Sequence, residues 1–178
     1  MPPLVPNHVV VLCEDAAHKL FTERWLKSRG VPSRRIRTLP SPAGKGAGEK
    51  FVRVNYPIEV AYYRQKSFTS RQLVVVIDGD TQAVQHRFEQ LSQGLNDAGL
   101  EDRKLGERIC ILVPKRNIET WVRALIGDDV DEASDYGKQD EGVIRQAADA
   151  YQPWLEGQGE TVPSMASSRG EVKRLDGE

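Results

Sequence analysis

Apolar residues fall into two kinds of run along this chain. Three short stretches are apolar at nearly every position: 8–13 (HVVVLC), 73–77 (LVVVI) and 108–113 (RICILV). Each is too short for a buried helix and is rich in β-branched residues, so each predicts a strand buried on both faces. A weaker stretch at 33–39 (SRRIRTL) predicts a shorter strand. Between them the apolar residues move to helical spacing. Ala17, Leu20, Phe21 and Trp25 share one face of a helix over 16–29, which Gly30 closes. Val84, Phe88, Leu91 and Leu95 do the same over 81–97, and Ile118, Trp121, Val122 and Leu125 follow a capping Asn117. Residues 40–48 (PSPAGKGAG) predict a loop. Helical character resumes near Glu49, and Pro57 is expected to break or restart it.

Strands that alternate with helices and stay apolar throughout predict an α/β fold. Its central sheet has about four mostly parallel strands, with helices on both faces. At 178 residues a single core is expected. We assign 1–150 to one α/β domain and 151–178 to a polar C-terminal tail with a short helix over 164–175. No apolar run reaches the roughly 20 residues a membrane span requires, and the first residues carry no secretory leader pattern. Cys13 and Cys110 lie in strand-like runs, which fits reduced thiols and a cytoplasmic location.

The net charge of −1 conceals an asymmetry. From 24 to 71 there are 12 Lys/Arg against 2 Asp/Glu, a balance of +10; from 127 to 178 there are 5 against 13, a balance of −8. A basic half on a near-neutral chain can attract a polyanion such as nucleic acid, or can simply be a solvated face.

Candidate chemistry gathers at the predicted strand ends. The first strand ends in Glu14 and Asp15, and a later one runs into Asp78 and Asp80 (VVVIDGD). Glu119 follows the last strand, in the first turn of the next helix. Right-handed crossovers bring all of these to the carboxyl edge of the sheet, where open α/β sheets bind ligands. Carboxylates so grouped repel one another unless a cation joins them, and hard oxygen donors suit Mg²⁺ or Mn²⁺. Glu14, Asp15, Asp78, Asp80 and Glu119 are therefore candidates for a metal site and the chemistry around it. Taken singly, Asp80 and Asp15 also suit helix N-caps, and Glu119 suits a helix N-terminus. The glycine-rich loop is not a Walker A loop, because Gly48 is followed by Glu49. Its neighbourhood still offers Lys45, Lys50 and Arg53 to a phosphate backbone, and Lys115 and Arg116 lie just before Glu119. His18 and His86 read as surface helix residues, and neither is assigned as a general base.

The acid after the first strand (VVVLCED) and the aspartate pair (VVVIDGD) resemble the TOPRIM domain of type IA topoisomerases, primases and OLD-type nucleases. VPKRNIETW resembles small TOPRIM-like proteins of bacterial anti-phage defence. The resemblance spans roughly residues 6–125 and implies a Rossmann-like TOPRIM fold. It also implies a Mg²⁺-dependent nuclease acting on DNA more readily than RNA, with Glu14, Asp78 and Asp80 as metal and acid–base residues. A partner ATPase would be a separate chain, and a homo-oligomer stays open. Two departures bear on a second metal: Asp15 stands where the family usually has glycine, and His18 and Lys19 occupy the next turn, where OLD-type nucleases often carry an acid. Two alternatives remain. IDGDT also matches the Asp-x-Asp-x-Thr pattern of haloacid-dehalogenase-type phosphatases, although a full strand–helix–strand unit precedes it here. A non-catalytic TOPRIM-like subunit binding nucleic acid or a partner protein is the other.

Overall fold

The computed structural model describes residues 5–44, 46–66, 69–159 and 161–178. It is an α/β fold with four strands: β1 (His8–Cys13), β2 (Ile36–Thr38), β3 (Arg71–Val76) and β4 (Ile109–Leu112). All pairings are parallel, in the order β2-β1-β3-β4. Val9 pairs with Ile36, Val11 with Val74, and Val76 with Leu112.

The continuous apolarity of the strands has a direct cause. Alternate residues feed two separate cores, so neither face tolerates polarity. Val9, Val11, Val74, Val76, Cys110 and Leu112 face one core. It is closed by α1 (Ala16–Ser28), α4 (Ile118–Leu125), α5 (Glu141–Glu156) and α6 (Pro163–Lys173). Val10, Leu12, Leu73, Val75, Ile109 and Ile111 face the other, closed by α2 (Ala47–Gln65) and α3 (Val84–Asp97). Trp25 and Trp121 are fully buried, packed around Tyr151 of α5 with ring centroids 5.2 and 5.8 Å away. Among the described residues no helix is long and apolar enough to cross a membrane.

Several elements depart from their sequence expectations. Pro57 does not end its helix; α2 runs through it for 19 residues. The neighbouring helix accommodates the ring because it presents Gly94, where an added Cβ would lie 3.6 Å from Pro57 Cγ. α3 starts at Val84 rather than Thr81, and its capping position is Ala83, so Asp80 does not cap it. The weak strand is a short 3₁₀ turn (Ser33–Arg35) leading into β2.

Residues 151–178, read as a polar tail, complete the core. Met165, Val172 and Leu175 are buried in it. The Glu171 carboxylate accepts the Ile111 N–H of edge strand β4 at 2.9 Å and pairs with Arg103. The Ser164 hydroxyl accepts the Lys115 N–H at 3.2 Å and the Trp121 Nε1–H at 2.9 Å. Polar residues thus satisfy an open strand edge, a role that hydropathy alone does not reveal. Truncating a buried methionine typically costs about 2–5 kcal/mol, so Met165→Ala should lower the urea unfolding midpoint by that equivalent. A change under about 0.5 kcal/mol, the range for surface sites, would show that α6 is not part of the core.

Candidate active site at the carboxyl edge of the sheet

The chain leaves β1 toward β2 on one side and returns to β3 on the other. That reversal opens a crevice between the carboxyl ends of β1 and β3, where such sheets bind ligands. Glu14 follows β1 and Asp78 lies just beyond β3, so the two predicted acids flank this crevice. They are linked across it: Glu14 Oε1 accepts the Asp78 N–H at 2.6 Å. Burial, then the Asp78 charge, pushes the Glu14 carboxyl up to about 7. Asp78 is buried, and burial raises its carboxyl as well, against the partial pull of His18.

His18 corrects the sequence reading. It is fully buried, and its Nε2 lies 2.9 Å from Asp78 Oδ1. Its Nδ1 accepts the Glu14 N–H at 3.3 Å, which assigns the ring proton to Nε2. Burial pulls the imidazole down, and the Asp78 charge and hydrogen bond pull it up. The Glu14 N–H opposes that rise, since it can donate only to an unprotonated Nδ1. Asp15 caps α1 by accepting the His18 N–H at 2.9 Å. The sequence did carry a signal: His18 stands three residues before Phe21 and seven before Trp25, on the apolar face.

Asp80 sits on a strained turn. Asp80 and Arg116 form an isolated antiparallel bridge, with φ of 51° and 69° in the left-handed region. Gly79 permits the approach, because an added Cβ would lie 3.3 Å from Lys115 Cα. The Asp80 side chain is 61% exposed, and its Oδ2 accepts from Arg87 at 2.8 Å. Arg87, missed in the sequence, organises this corner. From a buried position on α3 it also donates to the Asp78 carbonyl at 2.8 Å and to Glu49 at 2.6 Å. Its sequence signal was a charge three residues after Val84 and four before Leu91.

The remaining candidates divide. Glu119 is half-buried; burial raises its carboxyl first, and the Asp78 and Asp15 charges add to this, so it shares the edge. With Asp15 it lines a groove of about 400 Å³ between α1 and α5 that also holds Lys19 and Lys138. Lys115 and Arg116 border a second groove beside Asp80, and Arg116 contacts Asp135 at 3.5 Å. Lys50 is exposed in the first turn of α2, whereas Arg53 is paired with Glu49. Lys45 lies outside the described residues. The glycine-rich loop has a packing reason: an added Cβ at Gly48 would lie 2.4 Å from the Glu14 carbonyl oxygen.

The donors suit a hard divalent ion. Glu14 Oε1 is occupied by the Asp78 N–H and Asp78 Oδ1 by His18, which leaves Oε2 and Oδ2 for a ligand among the described residues. No group of three His, Cys, Asp or Glu side chains able to hold a metal is assembled among the described residues. Asp80, turned to Arg87, does not join Glu14 and Asp78 in one cage. Such an arrangement fits an ion that keeps water ligands, as Mg²⁺ does, rather than a closed structural site.

Two outcomes are expected. A carboxyl raised in the folded state contributes its stability fully below its ordinary value near 4.5, and loses it as pH rises through about 7. The melting temperature without metal should therefore fall across that window. Glu14→Gln should flatten the fall, and Mn²⁺ should raise the wild-type value more at pH 8 than at pH 5. A flat wild-type profile would refute the buried-charge account. Gly48→Ala should lower the melting temperature, since a backbone carbonyl cannot yield to a Cβ at that distance; an unchanged value would show that α2 can shift away.

The chain matches no protein-family model, no curated protein and no solved structure.

Proposed function

We propose that this protein is a Mg²⁺- or Mn²⁺-dependent nuclease of TOPRIM type. The observation that carries the reading is the pair of carboxylates, Glu14 and Asp78, joined across the crevice between β1 and β3 with both carboxyls pushed upward. Like charges are rarely brought together out of water unless a cation or a shared proton is to reside there. Asp78 would hold the ion through its remaining oxygen, and Asp80 would join it only by giving up its contact with Arg87; a divalent ion there would neutralise charge on a scissile phosphate and acidify a coordinated water. Glu14, raised to about 7, is suited to take up or release a proton near neutral pH, or to serve as a further ligand. Glu119 faces the same charges and orients the attacking group.

Nucleic acid as substrate is supported by the surplus of Lys and Arg between 24 and 71, with DNA favoured over RNA by the resemblance. Lys50, Lys115 and Arg116 flank the site as phosphate contacts. The anti-phage setting and a partner ATPase also come from the resemblance. Cytoplasmic residence agrees with two buried free cysteines.

The deciding experiment incubates the chain with supercoiled, linear and single-stranded DNA and with tRNA, in Mg²⁺, Mn²⁺ or chelator. Metal-dependent phosphodiester cleavage is expected. Glu14→Gln should reduce it by about 10²–10⁴-fold, the range for a lost acid–base group. Glu119→Ala should reduce it by about 10–100-fold, partly restored by excess Mn²⁺. Release of phosphate from monoesters, with no cleavage of polymers and an active Glu14→Gln, would replace this reading with the phosphatase. Absence of any hydrolysis, with nucleic-acid binding retained, would replace it with a binding subunit.

A further inference from the structure

We propose that His18 is a positioning residue that fixes which oxygen of Asp78 is offered to a divalent cation. The proposal rests on the metal reading above and goes beyond it, because that reading gives His18 no part.

The geometry is specific. His18 is fully buried, and its two ring nitrogens serve opposite walls of the crevice. Nδ1 accepts the Glu14 N–H at 3.3 Å on the β1 side; Nε2 reaches Asp78 Oδ1 at 2.9 Å on the β3 side. The ring is thus a strut between the two segments that carry the acids. A hydrogen bond from Nε2–H to an ionised carboxylate is strong where water is scarce. Asp78 cannot rotate without breaking it, so Oδ1 is committed and Oδ2 remains. The backbone that carries the ring is fixed as well, because Asp15 caps α1 by accepting the His18 backbone N–H at 2.9 Å. Neighbouring partners of this kind are known to orient carboxylate ligands and to sharpen their affinity.

A purely structural role explains less. α1 is already anchored by Phe21, Trp25 and Leu26, each fully buried. An apolar residue at position 18 would pack there without requiring partners, whereas a buried imidazole must have its nitrogens satisfied. What an apolar residue cannot do is hold Asp78.

Three substitutions separate the roles. His18→Gln reaches toward Asp78 with an amide N–H. His18→Asn is too short for Asp78 but keeps an acceptor near the Glu14 N–H. His18→Leu fills the space and holds neither. Mn²⁺ uptake by the full chain is followed by electron paramagnetic resonance, and thermal melting without metal is recorded in parallel. The expected result is that Gln keeps affinity within a few-fold of wild type. Asn and Leu should lose about 10–100-fold, the range for an outer partner of a metal ligand, and that loss should not track the melting temperature. Equal Mn²⁺ affinity in wild type and all three variants would overturn the proposal and leave the metal reading intact. Affinity losses that simply follow melting temperature would overturn it in favour of a structural role. A wild type that takes up no Mn²⁺ would overturn the metal reading itself, and this proposal with it.

Discussion

Two carboxylates held out of water on either side of one crevice set the terms for the rest of this structure. Glu14 and Asp78 end neighbouring strands whose register is locked by six parallel pairs, from His8 with Arg71 to Cys13 with Val76. Neither acid can move away from the other without dislodging a strand buried on both faces. Their repulsion is therefore built into the sheet, and the surroundings are arranged to contain it. Glu14 accepts a backbone N–H from Asp78, and Asp78 contacts a buried imidazole. The carboxyls are still raised, which shows that burial outweighs these contacts.

Positive groups inside the fold are placed to organise this edge rather than to neutralise it. Arg87 joins the Asp78 carbonyl, the Asp80 carboxylate and Glu49 from a single buried position. Glu49, which burial alone would raise, is held low by Arg53 and Arg87. A guanidinium can serve three acceptors at once because its donors are fixed in one plane. Arg87 thereby ties the start of α2, the end of β3 and the first turn of α3 into one unit. The strained pair Asp80 and Arg116 closes the same corner from the β4 side. Strain of that kind persists only where the surroundings over-determine the backbone. Here two hydrogen bonds, Asp80 N–H to the Arg116 carbonyl and the reverse, each 3.0 Å, hold it.

Support for the far strand comes from the other end of the chain. β4 is an edge strand, yet its Ile111 N–H is satisfied by Glu171, and the Lys115 N–H beyond it by Ser164. The same Ser164 hydroxyl holds the indole of Trp121 in α4, the helix whose first turn carries Glu119. The C-terminal segment thus fixes the position from which Glu119 faces the other acids. An acidic, polar stretch distant in sequence belongs to the machinery that shapes the edge.

Apolar patterning was enough to locate the three long strands, the helices between them to within a few residues, and the acids at the strand ends. These follow from local periodicity and from the fixed hand of parallel crossovers. Trp25 and Trp121 could be read as core, and Glu14, Asp78, Asp80 and Glu119 as neighbours at one edge. Tertiary structure decided what lies between them. Strand order placed Glu14 and Asp78 on opposite sides of the crevice, and no local pattern encodes which strands become neighbours. It turned Asp80 toward Arg87 and brought His18 across 60 residues to Asp78. It also made Glu171 and Ser164 partners of β4. A charged or polar side chain on an apolar helix face shows only that a partner is needed; which residue supplies it depends on how the layers pack. That is why the acids were legible from the sequence, while the groups that hold them were not.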